Sequence, residues 1–178
     1  MITRKYYLLI VTLFIAGVTS AQHILPVPFK TEKLESEFVF PGKVRIVADV
    51  CNQEVAHYLS ETLKNHVELV QPGFPAAGDI LLSSSAVTIE LGSEGYLLEI
   101  TNKQIKITAN SNQGLFYGIQ SLLQLLPAEV QANKPYKLKG YTIQGVKITD
   151  MPKYVWRSFM LDSGRQYQRP EFIKRYLD

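Results

Sequence analysis

The sequence predicts a globular domain of strands and two amphipathic helices, followed by the beginning of a second unit. Apolar and polar residues alternate with period two between Tyr96 and Thr108, as in a strand pair, whereas apolar residues recur at helical spacing from Leu115 to Leu126. The second unit is indicated by Trp156–Asp178, where a strand, a loop and the start of a helix follow one another. With 178 residues, 46% hydrophobic and 20% charged, the chain has the composition of a packed globular protein, which excludes disordered and fibrous classes.

The first 21 residues predict an export signal. Two basic residues precede an apolar run from Tyr6 to Val18, and the small residues Thr19 and Ala21 follow at the spacing of a cleavage site. The run is shorter than the roughly 20 residues that cross a bilayer, so we expect cleavage rather than a stable membrane anchor. Gln22 would then begin the mature chain. We therefore expect an exported bacterial protein, periplasmic or secreted.

Charge and cysteine content exclude two further classes. The net charge of +3 falls by two when the basic residues of the signal are removed, so the mature chain lacks the positive excess of nucleic-acid-binding proteins. Cys51 is the only cysteine in the sequence, so a disulfide framework within the chain is impossible. A lone cysteine beside a helix start is usually buried and inert, and we expect this of Cys51.

The first half of the domain predicts three strands and one helix. Prolines and short apolar patches between Gln22 and Phe40 indicate extended chain and an edge strand, and Val44–Ala48 forms a second strand. Asn52 is placed to cap a helix. The apolar positions of that helix are Val55, Tyr58, Leu59, Leu63 and Val67. A proline- and glycine-rich loop, Gln71–Gly78, then precedes a short buried strand, Asp79–Ser83.

The second half predicts a hairpin, a helix and a last strand. The alternation from Tyr96 to Thr108 is interrupted by polar turn residues, which indicates a hairpin with one buried face. Asn112 begins the strongest helix of the sequence and Pro127 ends it. Its wide apolar stripe consists of Leu115, Phe116, Ile119, Leu122, Leu123 and Leu126. A polar linker, Glu129–Lys139, leads to a strand at Tyr141–Ile148.

The last stretch predicts a β/α unit that is incomplete. Trp156–Asp162 contains a short apolar strand, a polar loop follows, and Pro170 and Glu171 are favourable first-turn residues of a helix. One strand, one loop and half a helix cannot bury their own apolar faces. We therefore expect the chain to be the N-terminal part of a longer protein whose second domain begins near Met151.

Few residues suggest chemistry by themselves. Glycine-rich phosphate loops, H-E-x-x-H and C-x-x-C motifs do not occur in the sequence. His57 and His66 fall on opposite faces of the predicted helix, so they cannot share a metal ion. Arg165 lies in the loop after the last predicted strand, three residues beyond Asp162, where barrel enzymes place ligand-binding groups. Arg165 would either donate a fork of hydrogen bonds to a ligand or simply pair with Asp162.

A pair of carboxylates for glycoside hydrolysis is not evident either. Asp150 and Asp162 are twelve residues apart around the expected domain junction, and Asp49 and Asp79 fit turn positions. The residues alone therefore identify no acid and no base.

Two motifs resemble the β-N-acetylhexosaminidases, glycoside hydrolases of family 20. NQGLFYGIQSLLQLLP, Asn112–Pro127, resembles the helix near the end of their N-terminal domain. ITDMPKYVWRSFMLDSGRQYQRPEFIKRYLD, Ile148–Asp178, is similar to the beginning of their catalytic barrel, where D-x-P-x-[FY]-x-W-R-[GS] leads into L-D-x-x-R. The motifs stand in the family's order, and weaker similarity extends back to about Leu25. Family 84 and family 67 glycosidases have similar leading domains, but the second motif favours family 20.

The resemblance implies a fold and a domain division. Residues 22–150 would form an α+β leading domain, a mixed or antiparallel sheet with two helices, after a signal peptide at 1–21. Residues 151–178 would be the incomplete start of a catalytic (β/α)8 barrel. The missing C-terminal barrel is then the structural partner of this chain.

The resemblance also implies which residues would contact substrate. Its L-D-x-x-R motif places a family residue at Arg165, which would bind hydroxyls of the terminal sugar, and Asp162 is a weaker candidate beside it. Gln166 stands where the family usually has His or a related residue. The catalytic Asp-Glu pair would lie beyond Asp178, so no catalytic residue is expected within this chain.

The implied activity is release of terminal N-acetylhexosamine from glycans by a substrate-assisted, retaining mechanism. Neither a metal nor an organic cofactor is needed, and the chain by itself is expected to be inactive. The alternative is a non-catalytic module: an accessory or scaffold domain of another secreted glycosidase, of the family 84 or 67 type, or an interaction module.

Overall fold

A computed structural model describes residues 24–70, 75–85, 89–132 and 134–177. These residues contain seven strands, which form one sheet. The predicted export signal and Gln22 lie outside the described residues. The strands are β1 (Lys30–Val39), β2 (Val44–Ala48), β3 (Val67–Val70), β4 (Ile80–Ser84), β5 (Tyr96–Ile100), β6 (Ile105–Ala109) and β7 (Thr142–Asp150). Within the same residues the α-helices are α1 (Gln53–Leu63), α2 (Asn112–Gln124), α3 (Ala128–Gln131) and α4 (Pro170–Leu177).

The sheet is mixed, with the strand order β1-β7-β5-β6-β4-β2-β3. Strands β1, β7, β5 and β6 pair antiparallel, whereas β6, β4, β2 and β3 pair parallel. Helix α1 packs against β2 and β3, and α2 against β4, β5 and β6. The predicted α+β class, with a mixed sheet and two main helices, is confirmed.

In the central strands, buried side chains alternate with more exposed ones. In β5 the residues Tyr96, Leu98 and Ile100 are buried and the intervening side chains are half-buried, as predicted for one face of the hairpin. In α2 the predicted apolar stripe is buried except for Phe116, which is partly exposed. The helix therefore covers the apolar face of the centre of the sheet, formed by β5, β6 and β4, and its buried apolar side chains stabilise this region.

Two glycines of α2 allow the helix to approach the sheet closely. A Cβ atom on Gly114 would lie 2.4 Å from the carbonyl oxygen of Gly95, and one on Gly118 would lie 2.5 Å from Cγ2 of Ile107. The two glycines are four positions apart, so they lie on the same face of the helix. The helix axis can therefore lie nearer to β5 and β6 than side chains would permit.

The structure corrects two details at the ends of α1, and it confirms the predicted start of α2 at Asn112. Asn52 precedes α1, but its side chain makes no capping hydrogen bond; it is buried and accepts a hydrogen bond from Ser84 Oγ at 2.9 Å. Val67 belongs to β3 and not to the first helix, which ends at Leu63. The cap of α2 is the side chain of Ser111, which accepts a hydrogen bond from the backbone N–H of Gln113.

The residues after β7, 151–177, form what we call the terminal segment, and the described residues before them form the sheet domain. The helix predicted at Pro170 is confirmed as α4. The strand predicted within Trp156–Asp162 is not formed; these residues are irregular and almost all exposed. A strand needs a neighbour to pair its backbone groups, and the described chain supplies none here. That residues 151–178 open a barrel stays a prediction.

Candidate substrate-binding loop and its junction with the sheet

The loop that carries Asp162 and Arg165 is closed by its own hydrogen bonds. Asp162 Oδ1 accepts hydrogen bonds from the backbone N–H groups of Gly164, at 3.0 Å, and Arg165, at 3.1 Å. Asp162 Oδ2 lies 3.1 Å from Nε of Arg165, whose side chain is 91% exposed. The structure therefore brings the two predicted residues together, and Asp162 shapes the turn that presents the arginine.

The pairing leaves most of the guanidinium available to a ligand. The side chain of Arg165 is 91% exposed although its Nε group lies beside Asp162, so most of the guanidinium is open to solvent. A planar guanidinium can direct these donors as a fork towards sugar hydroxyls or a carboxylate. Of the two alternatives for Arg165, the pairing with Asp162 is formed, and the binding of a ligand stays a prediction.

Asp150, at the end of β7, connects that strand to the chain before β1 and to β5. Its Oδ1 accepts a hydrogen bond from the backbone N–H of Phe29 at 3.0 Å, and its Oδ2 accepts one from Tyr96 OH at 3.3 Å. The Tyr96 hydroxyl also bonds to Ser121 Oγ on α2. Burial, with the adjacent Asp150 carboxylate, raises the pKa of Tyr96, so the hydroxyl keeps its proton. Asp150 thus accepts hydrogen bonds from Phe29 and Tyr96 at the end of the sheet. None of these partners is a second carboxylate, so Asp150 forms no catalytic acid–base pair with them.

Seven residues further along, Arg157 connects the terminal segment to the sheet domain. Its Nη2 lies 2.7 Å from Oε1 of Glu94 and its Nη1 lies 3.3 Å from Oε2, so the pair is a two-bond fork. Nη2 also donates to Tyr117 OH at 3.1 Å. The guanidinium lies over the Tyr117 ring, 5.8 Å from its centroid.

The electrostatics of this pair follow from its hydrogen bonds. The Arg157 guanidinium, through its hydrogen bonds and its charge, lowers the pKa of Glu94 below the ordinary value, although partial desolvation opposes the shift. Hydrogen bonds to Glu94 and Tyr117 raise the pKa of Arg157 in turn. Both groups are therefore charged at neutral pH.

Sequence reasoning missed the roles of Arg157, Glu94 and Tyr117. Glu94 lies 63 residues before Arg157, in the turn that precedes β5, and Tyr117 lies on α2. The sequence gives two signals for Arg157: it stands within an otherwise apolar stretch next to Trp156, and it is the arginine of the W-R pair in the motif described above. No local spacing rule connects residues so far apart.

Asp79 differs from the prediction of a simple turn residue. Its carboxylate is nearly fully buried and receives two hydrogen bonds from Arg45, Nε to Oδ1 at 2.9 Å and Nη2 to Oδ2 at 2.6 Å. The backbone N–H of Ala76 donates to the same carboxylate. The hydrogen bonds to Asp79 raise the pKa of Arg45. Every oxygen of the carboxylate is already bonded, so its role is structural.

Among the described residues, His57, His66 and Cys51 form no site with one another. His57 is exposed on α1, whereas His66 lies beyond the helix in a 3₁₀ turn, its ring 4.7 Å from that of Tyr136. Cys51 is exposed, contrary to expectation, with Sγ 3.5 Å from Ser84 Oγ. In the described part of the chain, acidic, histidine and cysteine side chains form no group of three or more suited to a metal ion. No helix in that part has the length and apolar content to cross a membrane.

A known protein-family model matches the sheet domain. The family model described as glycosyl hydrolase family 20, domain 2, matches residues 21–151. Among curated relatives, the β-hexosaminidase of Porphyromonas gingivalis is 31% identical over 160 residues, which are 88% of this chain and 20% of the relative. The β-hexosaminidase of Vibrio furnissii is 28% identical over 87% of this chain and 24% of the relative.

Solved structures share the fold. The β-N-acetylhexosaminidase of Bacteroides fragilis has a TM-score of 0.69 and 33% identity, covering 88% of this chain and 30% of that protein. The family 20 β-N-acetylhexosaminidase of Streptomyces coelicolor has a TM-score of 0.73 and 30% identity, covering 88% of this chain and 32% of that protein. The chain thus spans about a fifth to a quarter of the curated relatives named above. With the family model matching most of its length, the chain belongs to glycosyl hydrolase family 20, of which it carries domain 2.

Proposed function

We propose that this chain is the leading part of a β-N-acetylhexosaminidase that removes terminal N-acetylhexosamine residues from glycans. One observation carries the proposal: a family 20 domain 2, matched at residues 21–151, is followed 14 residues later by Arg165, whose guanidinium is exposed in a loop. The similarity to two proteins of the stated activity, over 88% of this chain in each case, supports it.

In this proposal Arg165 binds the terminal sugar. Its Nη groups donate hydrogen bonds to sugar hydroxyls, while Asp162 holds the turn and fixes the guanidinium through Nε. The arginine acts as a binding residue and does not transfer protons, because a guanidinium keeps its protons at any working pH. The substrate class is a glycan with a non-reducing N-acetylhexosamine end.

Bond cleavage is proposed to proceed with retention and assistance from the substrate. The oxygen of the 2-acetamido group attacks the anomeric carbon, an aspartate orients that group, and a glutamate protonates the leaving oxygen. Neither acidic residue is assigned within this chain, and no cofactor takes part. We therefore expect the 178-residue chain to have no hydrolytic activity by itself.

The experiment measures hydrolysis of an aryl N-acetyl-β-glucosaminide by the complete gene product and its variants. Hydrogen bonds from a charged donor are worth about 1.5 to 3 kcal/mol, so Arg165→Ala should lower kcat/KM by roughly 10- to 100-fold. Arg165→Lys should not restore it, since one ammonium cannot reproduce the planar fork. Arg175→Ala, which removes an exposed arginine of α4, is the matched control.

Thermal stability, measured on the same preparations, separates binding from structure. The exposed Arg165 side chain contributes little to folding, so Tm should be unchanged in Arg165→Ala. Unchanged kcat/KM with a lowered Tm would mean that Arg165 only pairs with Asp162. An inactive wild-type gene product would instead favour the non-catalytic scaffold role.

We propose further that the protein is exported, with Gln22 as the mature N-terminus. The proposal rests on the apolar run and the small residues Thr19 and Ala21. N-terminal sequencing of periplasmic or secreted material should begin at Gln22. Material that begins at Met1, or that needs detergent for extraction, would contradict it.

A further inference from the structure

We propose that the contact of Arg157 with Glu94 and Tyr117 joins two folded units, the sheet domain and the barrel, and makes their unfolding cooperative. The surface around Glu94 and Tyr117 is then a docking site, and its occupant is the barrel that begins in the terminal segment. The inference rests on the proposed function, because it takes residues 151–178 as the start of that barrel.

The boundary between the two units lies between the partners of this contact. Glu94 and Tyr117 fall within residues 21–151, which match family 20 domain 2. Arg157 stands six residues after that match, in the W-R pair of the motif that resembles the beginning of the barrel. The hydrogen bonds of Arg157 therefore cross from one unit to the other.

The sheet domain presents a preformed acceptor for the guanidinium. Tyr117 OH donates a hydrogen bond to Glu94 Oε1 at 3.3 Å, which connects α2 to the turn before β5. The Glu94 carboxylate and the Tyr117 hydroxyl oxygen accept hydrogen bonds from Arg157 at 2.7, 3.1 and 3.3 Å. The guanidinium also lies over the Tyr117 ring, 5.8 Å from its centroid. An arginine fits this set, because its planar fork matches a carboxylate and its face matches an aromatic ring.

Such a contact couples the stability of the two units. It is formed only when both are folded, so each unit acts on the other as a ligand that binds the native state alone. Domains of one chain move separately by default, because the interfaces between them are commonly small and polar. A specific contact across the boundary opposes this separation.

The geometry of the contact sets the size of the effect. Both charged side chains are partly shielded, with exposed fractions of 41% for Arg157 and 30% for Glu94, and two hydrogen bonds form the fork. We therefore place the coupling at the upper end of the range for exposed ion pairs. Its loss should raise the population of molecules with an opened sheet domain about threefold to tenfold.

The test measures backbone hydrogen exchange by mass spectrometry on the complete gene product. Exchange of protected amides follows the population of opened molecules, so weaker coupling speeds it. Arg157→Gln, a change outside the sheet domain, should speed exchange about threefold to tenfold in β6 and α2. Glu94→Gln should have the same effect. The double variant should exchange no faster than either single variant, because the same contact is lost in all three.

A second ion pair provides the matched control. Lys43 and Glu68 lie 2.9 Å apart on exposed side chains, and both belong to the sheet domain. Glu68→Gln should therefore change exchange in β6 and α2 by less than about 1.5-fold. Arg157→Lys keeps the charge but not the fork, and it should speed exchange at least about twofold. This variant replaces Arg157→Gln if the latter does not fold.

Exchange and hydrolysis together separate the inference from the proposed function. If the wild type is active and Arg157→Gln leaves exchange in β6 and α2 unchanged, the coupling is overturned and the proposed function stands. The same holds if only Glu94→Gln speeds exchange, because Glu94 then acts within the sheet domain alone. If the wild type does not hydrolyse the aryl substrate but both variants speed exchange, the proposed function is overturned and the coupling to the following unit stands.

Discussion

The sheet domain and the terminal segment both contain apolar residues and an amphipathic helix, but they differ in how far these residues are buried. In the sheet domain Leu122, Ile107 and their neighbours are fully buried, whereas in the terminal segment Val155 is 98%, Trp156 83% and Met160 86% exposed. Both regions have an amphipathic helix, α2 and α4. An apolar pattern is therefore not enough for a core, because burial requires a complementary surface.

The two regions are also held together by different interactions. Helix α2 lies against β5 and β6 through continuous apolar packing, which no single polar contact could replace. Within the described residues, the terminal segment is connected to the sheet domain by the polar contacts of Arg157 with Glu94 and Tyr117. Loss of one apolar side chain should therefore affect stability strongly in the first region and weakly in the second.

The largest expected effect comes from matched truncations of apolar side chains. Leu122 is 0% exposed, so Leu122→Ala removes buried methyl groups and leaves a cavity, which should cost about 2 to 5 kcal/mol. Phe172→Ala, on the half-exposed face of α4, should cost less than about 0.5 kcal/mol. Urea unfolding monitored by circular dichroism measures both. A cost below about 0.5 kcal/mol for Leu122→Ala would show that α2 is not packed as described.

A second contrast uses glycines. A methyl group on Gly114 would meet the Gly95 carbonyl oxygen at 2.4 Å, so the backbone must shift, and Gly114→Ala should cost about 1 to 3 kcal/mol despite the better helix propensity of alanine. Gly164→Ala, in the terminal segment, would meet only Asp162 Oδ1 at 3.4 Å and should change stability by less than about 0.5 kcal/mol. Equal Tm values for the two variants would contradict the close helix–sheet approach.

A third contrast removes one hydroxyl from each region. Tyr96→Phe breaks the hydrogen bonds to Ser121 and Asp150 and should cost about 0.5 to 1.5 kcal/mol. Tyr167→Phe, at an exposed position of the terminal segment, should leave the free energy of unfolding unchanged. Thermal unfolding of the two variants, measured side by side, makes the comparison. If Tyr96→Phe leaves the stability unchanged, the hydrogen bond between Tyr96 and Asp150 does not stabilise the fold.

The smallest effect concerns the ion pair between the regions. Because the Glu94 pKa is lowered on folding from its ordinary value of 4.5, the pair stabilises the folded state above pH 4.5, and this is lost as pH falls through the folded pKa. The Tm difference between wild type and Glu94→Gln should therefore be positive at pH 7 and shrink below pH 4.5. High salt at pH 7 should also reduce it. A difference that grows on acidification would contradict the pairing with Arg157.

The sequence by itself determined the local elements of this protein. Period-two alternation identified the hairpin of β5 and β6, helical spacing identified α2, and Pro170 identified the start of α4. The L-D-x-x-R motif predicts substrate contact for Arg165 and, more weakly, for Asp162. These features depend on neighbours within a few residues, which is the range over which backbone propensity and side-chain periodicity act.

Only the tertiary structure decided how these elements are used. Val67 fits the helical period of α1, yet it forms β3 because β2 offers it a parallel partner. Trp156–Asp162 has the composition of a strand, yet it stays irregular because no described strand pairs with it. Asp79 fits a turn position by sequence, yet its buried carboxylate forms an ion pair with Arg45. The partner of Arg157, Glu94, lies 63 residues before it. Pairing partners and buried charges come from residues distant in the chain, so their roles depend on contacts that local patterns do not encode.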